Sequence, residues 1–111
     1  MSEKATDIVV GNDENFDNLI SKDMPILVDF WAEWCAPCKF MEPLFQELAG
    51  SFFGRVVFVR VNVDENPATA SKYGVRAIPT FVVFKDGNEV KRIVGAVGKE
   101  PLEAALREVL E

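Results

Sequence analysis

Apolar positions along this chain follow two different periods. Ile26–Trp31 is apolar at every position except Asp29, the signature of a strand covered on both faces. Residues 56–63 (VVFVRVNV) read the same way, with Arg60 in the middle. Between them, Met41, Leu44, Phe45, Leu48, Ala49 and Phe52 recur in steps of three and one. That spacing predicts a helix face from Cys35 onward, and Pro43 inside it predicts a kink. Residues 6–10 predict a short strand. A helix carrying Phe16, Leu19 and Ile20 on one face follows, with Asp13 as its cap. Residues 67–73 predict a short helix that starts on Pro67 and ends at Gly74. Residues 79–84 and 89–94 flank Asp86-Gly87 and predict a hairpin. A last helix from near Pro101 should bury Leu102, Ala105, Leu106, Val109 and Leu110. The order β-α-β-α-β-α-β-β-α implies an α/β fold: a mostly parallel sheet with an antiparallel hairpin added and helices on both faces.

Composition narrows the class. The 111 residues, 49% of them apolar, fit one domain spanning residues 1–111 with a core that needs no disulfide staple or structural metal. A net charge of −6, spread along the chain, makes nucleic acid and anionic membrane poor partners. The first residues, MSEKATDIVVG, lack the apolar stretch of a signal peptide, and no segment approaches the roughly 20 apolar residues of a membrane span. A cytoplasmic location is the expectation. The absence of histidine excludes Ser-His-Asp and Cys-His nucleophiles and HExxH zinc sites.

The chemistry gathers in DFWAEWCAPCKF, residues 29–40, which holds both cysteines and both tryptophans of the chain. As a staple, a loop of four residues would contribute only about 2 kcal/mol. Positions i and i+3 of a regular helix hold their Cβ atoms roughly 5–6 Å apart, against about 3.5–4.5 Å in a relaxed disulfide. A Cys35–Cys38 bridge therefore closes only with Cys35 off the regular helix, at its N-cap, and then under some strain. Strained bridges are easily reduced, which suits a pair that opens and closes. At a strand end and helix start, the helix dipole and free N–H groups favour a Cys35 thiolate. Pro37 fits the first helical turn. Cys38, one turn in, is expected to be the more buried thiol, suited to resolving a mixed disulfide.

Asp29 carries two readings. Alternation groups it with Leu27 and Trp31, and burial there would raise its pKa so that it exchanges a proton near neutral pH. Alternatively it reaches solvent near the strand end, or local hydrogen bonds satisfy it. For Arg60 the simplest expectation is a side chain snorkelling out of a half-exposed strand. Base rates make the Ile78-Pro79 bond trans.

Together these residues resemble the thioredoxin family. The resemblance rests on ILVDFWAEWCAPCK at 26–39, Pro43 in the following helix, NVDENP at 62–67, KYGVRAIPT at 72–80, FKDG at 84–87 and VGA at 94–96. It implies the thioredoxin fold, a central five-stranded mixed sheet flanked by four helices. It implies that Cys35 attacks and Cys38 resolves, and that Asp29 assists proton transfer at the resolving thiol. Pro79 looks like the family's cis-proline, which reverses the trans expectation. Trp34, Ala77, Ile78, Pro79, Gly95 and Ala96 are similar to its apolar docking surface. The backbone of Ile78 would pair with an extended client segment, and Trp31 looks like the packing tryptophan under the site. Ala36 replaces a glycine between the cysteines and favours the helix, so a modest effect on redox poise is expected. Ala77 likewise replaces a glycine common before Ile-Pro. Arg60 stands where many members carry lysine, and a permanent cation there should favour ionised Asp29.

The leading functional reading is a protein-disulfide reductase that carries electrons without a bound cofactor. The chain has no GxGxxG for a flavin or nicotinamide, so its electrons must come from outside, from a thioredoxin reductase, and go to disulfide-containing client proteins. A monomer is expected. A second reading is a binding or chaperone module in which thiol turnover is incidental. A third, metal binding, needs a dimer to complete four ligands; with no histidine and no second CxxC it is the weakest.

Overall fold

The computed structural model describes residues 8–111. In chain order the elements are β1 (Ile8–Val10), α1 (Phe16–Ile20), β2 (Ile26–Trp31), α2 (Ala36–Ser51), β3 (Val57–Asn62), α3 (Pro67–Lys72), β4 (Thr80–Lys85), β5 (Asn88–Val94) and α4 (Lys99–Leu110). The order matches the hydrophobic pattern. Two positions of the strand expected at residues 6–10 lie outside the described residues.

The five strands form one sheet in the order β1-β3-β2-β4-β5. β1 and β2 flank β3 in parallel, whereas β2–β4 and β4–β5 are antiparallel. The pattern suggested a mostly parallel sheet, but half of the pairings are antiparallel. The cause is the α3-to-β4 connection, which brings β4 back beside β2 in the opposite direction. The hairpin closes on Asp86 and Gly87, with φ of 55° and 81°, the left-handed pair that a two-residue hairpin turn requires.

Each face of the sheet has its own apolar layer. On one, Leu27, Phe58, Phe81 and Val83 pack against Met41, Phe45 and Leu48 of α2 and Leu102 and Leu106 of α4. On the other, Ile26, Val28, Phe30, Val59, Val82 and Phe84 meet Phe16, Leu19 and Ile20 of α1, with Tyr73 at the end of α3. Alternation along β2 thus places Asp29 on the α2 face, with Leu27 and Trp31. α2 stays helical through Pro43.

Two local expectations are corrected. Asp13 does not cap α1, whose N-cap Asn15 makes no side-chain cap bond. Its carboxylate instead accepts from the backbone N–H and hydroxyl of Thr69, at 2.8 and 2.6 Å, across 56 positions of sequence. Asn12 takes the local role, its Oδ1 accepting from the N–H groups of Glu14 and Asn15. The last helix begins at Lys99, so that Pro101 lies in its first turn. It buries Leu102, Ala105 and Leu106 fully and Val109 and Leu110 partly.

Candidate active site

β2 ends at Trp31, and four residues separate it from α2. Cys35 is the N-cap of α2, with extended φ and ψ of −92° and 105°. Off the helix, it turns its sulfur back over the first turn, where Sγ accepts from the Cys38 N–H at 3.1 Å. Cys35 and Cys38 are joined as a disulfide across a Cα–Cα distance of 5.2 Å. Ala36 and Pro37 form the exposed first turn between them. The expected contrast in burial is slight in this oxidised state, with Cys35 at 3% exposure and Cys38 at 1%. Ala32, Trp31, Val63 and Ile78 form the apolar seat of the bridge.

The loop before β4 faces the cysteines. Its Ile78-Pro79 bond is cis, as the resemblance implied and base rates did not. The Ile78 carbonyl lies 3.8 Å from Cys35 Sγ. Behind it, the Gly95 N–H donates to the Pro79 carbonyl at 2.8 Å, and Gly95 holds φ of 104°, open to glycine and strained for other residues. Thr80 Oγ1 donates to the Ala77 carbonyl at 2.5 Å, which ties the loop to itself. The structure thus joins Cys35, Ile78, Pro79 and Gly95 in one chain of contacts, with Ala77 and Ala96 exposed beside it. Trp34 is 70% exposed, yet its Nε1–H donates to Asp64 Oδ2 at 2.8 Å, so the indole is held rather than free.

Beneath the site lies a charged cluster. Asp29 is 1% exposed, and among the described residues it is the one buried carboxylate. Neither of its oxygens has a hydrogen-bond partner among those residues. Arg60, its register neighbour on β3, brings Nε within 3.4 Å of Asp29 Oδ2 without the alignment of a hydrogen bond. Burial pushes the Asp29 pKa up to about 7, against the lowering pull of the Arg60 charge. The cation was expected to keep Asp29 ionised; desolvation outweighs it. Arg60 does not snorkel out as expected. Its side chain is 17% exposed, its guanidinium lies 4.0 Å from the centre of the Trp31 ring, and its Nη1 donates to Glu42 Oε2 at 3.1 Å. Trp31 therefore packs beneath the site as the face of a cation–π contact.

Sequence reading gave no role to Glu42, Asp64 or Thr80. Glu42 had a usable signal, since it lies four residues after Cys38 and so one turn further on the same helix face. Asp64 and Thr80 had none beyond their place in the quoted motifs. Among the described residues, no three side chains of the metal-ligating types are grouped to hold a metal ion, and no helix is long and apolar enough to cross a membrane.

Comparison with known proteins agrees with this geometry. The family model described as Thioredoxin matches residues 7–108. A thioredoxin of Alicyclobacillus acidocaldarius subsp. acidocaldarius is 48% identical over 99 residues, covering 89% of this chain and 94% of its own. A chloroplastic M-type thioredoxin of Brassica napus is 44% identical over 96% of this chain, which spans 61% of that longer protein. Among solved structures, a point mutant of the thioredoxin from Halobacterium salinarum NRC-1 superposes with a TM-score of 0.87 at 33% identity, covering 96% of this chain and 94% of that one. With a bridged cysteine pair at the head of α2 and a cis-proline loop against it, the chain belongs to the thioredoxin family of protein-disulfide oxidoreductases.

Proposed function

We propose that Cys35 is the attacking thiol and Cys38 the resolving thiol of this protein-disulfide reductase. The observation that carries the assignment is the place of Cys35 Sγ. It sits at the helix N-cap, takes the Cys38 N–H and faces the Ile78 carbonyl. A thiolate there gains from a free helix N–H and from the positive end of the helix dipole. It attacks one sulfur of a client disulfide, and the other client sulfur leaves as thiolate and takes a proton. Cys38 then loses its proton and attacks Cys35 Sγ, releasing the second client sulfur and leaving the Cys35–Cys38 bridge. Asp29, buried and poised near neutrality, takes the Cys38 proton in that step.

Trp34, Ala77, Ile78, Pro79, Gly95 and Ala96 form the client surface. An extended client segment pairs with the backbone of Ile78. A separate thioredoxin reductase returns two electrons to the bridge, since thioredoxins need no bound cofactor. The protein works as a cytoplasmic monomer.

The test is a trapping experiment with a disulfide-containing client. Cys38→Ser should accumulate a stable mixed disulfide through Cys35, and Cys35→Ser should accumulate none. Trapping through Cys38 instead would reverse the roles. The bridge should equilibrate near the roughly −270 mV of a reducing thioredoxin; a value in the range of about −120 to −180 mV would mean that the protein donates disulfides.

A further inference from the structure

The thiol–disulfide steps leave Glu42 without a part. Glu42 lies on α2, one turn beyond Cys38, and its Oε2 holds Arg60 Nη1 at 3.1 Å. Arg60 is thereby shared three ways. Its Nη1 faces Glu42, its flat face lies on Trp31, and its Nε approaches Asp29 at 3.4 Å, out of hydrogen-bond alignment. Among the described residues neither oxygen of Asp29 nor the Nε of Arg60 has a hydrogen-bond partner. This is unusual for a buried carboxylate beside an arginine, which ordinarily closes a two-pronged pair. Its consequence is functional. An Asp29 fully paired with arginine would be a weak base, whereas a half-paired one keeps an affinity for protons.

We propose that Glu42 is a positioning residue of the thiol–disulfide reaction: by holding Nη1 of Arg60 it keeps the guanidinium from closing on Asp29, and so leaves that carboxyl free to take the Cys38 proton. The proposal rests on the Asp29 reading given above. The groups facing Asp29 are few. Among the described residues β3 supplies Arg60, α2 supplies Glu42, and β4 places the uncharged Phe81 in register. Leu27 and Trp31 on its own strand carry no charge. Glu42 acts twice in the same direction, since it draws Arg60 away and its own negative charge also raises the Asp29 pKa. Lys39, also on α2, is engaged by Glu33 at 3.2 Å.

The test is the titration of the Asp29 carboxyl carbon, followed by NMR in Asp-labelled protein, for wild type, Glu42→Gln and Glu42→Asp. The rate of mixed-disulfide resolution is measured against pH in the same proteins and in Asp29→Asn. Glu42→Gln keeps the shape of the side chain and removes its charge. It should lower the Asp29 midpoint by about half a pH unit or more, roughly a threefold loss of proton affinity. The pH profile of resolution should move down with it and reach a lower plateau. Glu42→Asp keeps the charge and should stay near wild type. A midpoint in Glu42→Gln that stays put or rises would overturn the role of Glu42, as would a shifted midpoint with an unmoved rate profile. An Asp29→Asn protein that keeps the wild-type profile would instead overturn the Asp29 reading on which the role depends.

Discussion

Asp29 concentrates the cost of function at one residue. Folded, it holds a proton with a pKa of about 7, against an ordinary value of 3.8. Between those pH values the folded chain binds a proton that the unfolded chain has lost. Stability therefore falls as pH rises through this window, and the penalty is complete above about pH 7. At about 1.4 kcal/mol for each tenfold in proton affinity, the whole gap is on the order of 4 kcal/mol. Asp29→Asn removes the titration while Arg60 keeps Glu42 as its partner. Urea unfolding of the oxidised variant should show a gain of a few kcal/mol over wild type at pH 8, shrinking to nearly nothing at pH 4. An equal gain at both pH values would mean that packing, not the proton, is responsible. The sequence made Asp29 visible, because a single carboxylate broke an apolar run. It could not decide between a buried and a solvated side chain. That depends on Arg60, whose three-way sharing needs a helix and two strands brought side by side, and the local pattern shows the elements but not how they meet.

At the scale of elements, the long-range ties decide what propensity leaves open. α3 has only six residues, too short to persist by its own hydrogen bonds. Pro67 opens it and Gly74 closes it, both legible in the sequence. Asp13 secures it from the loop before α1, through the Thr69 N–H and hydroxyl, and these bonds hold the Asp13 pKa below its ordinary value. A lowered carboxylate pKa stabilises the fold above the unfolded value and ceases to as pH falls through the folded one. Asp13→Asn should therefore melt a few degrees below wild type at pH 7, with the two curves drawing together as pH falls below the ordinary carboxylate range. A difference that persists in acid would mean that the carboxylate charge is not what matters. The sequence marked Asp13 as a capping residue but assigned it to the wrong helix, since local spacing always nominates the nearer N-terminus. The sheet is the five-stranded mixed one that the resemblance implied, and the pattern alone overstated its parallel share for a related reason. Parallel and antiparallel neighbours of β2 share the same apolar code, and the direction of β4 follows from the path of a connection, not from the residues of the strand.

For the whole molecule the question is whether its two apolar layers are one structure or two. Phe45 sits in the layer of α2 and α4, and Phe16 in the layer of α1 on the opposite face. The layers share β2, β3 and β4, whose alternating side chains feed both. Removing either layer would strip one face of the same three strands and expose apolar surface that no local rearrangement can hide. A single cooperative transition follows. Phe45→Ala and Phe16→Ala should each cost about 3–5 kcal/mol, a large share of the roughly 5–15 kcal/mol that holds a domain of this kind. Trp31 and Trp34 provide the check, since both report on the site at the head of α2. In either variant, tryptophan fluorescence and far-ultraviolet circular dichroism should lose their signal at the same urea concentration. If Phe16→Ala instead lost helix signal first while fluorescence stayed native, the layer of α1 would be a separate unit that the active site does not need. Coincidence would mean that the N-terminal end of α2, and with it the position of Cys35 against the Ile78-Pro79 loop, is held by packing on both faces of the sheet.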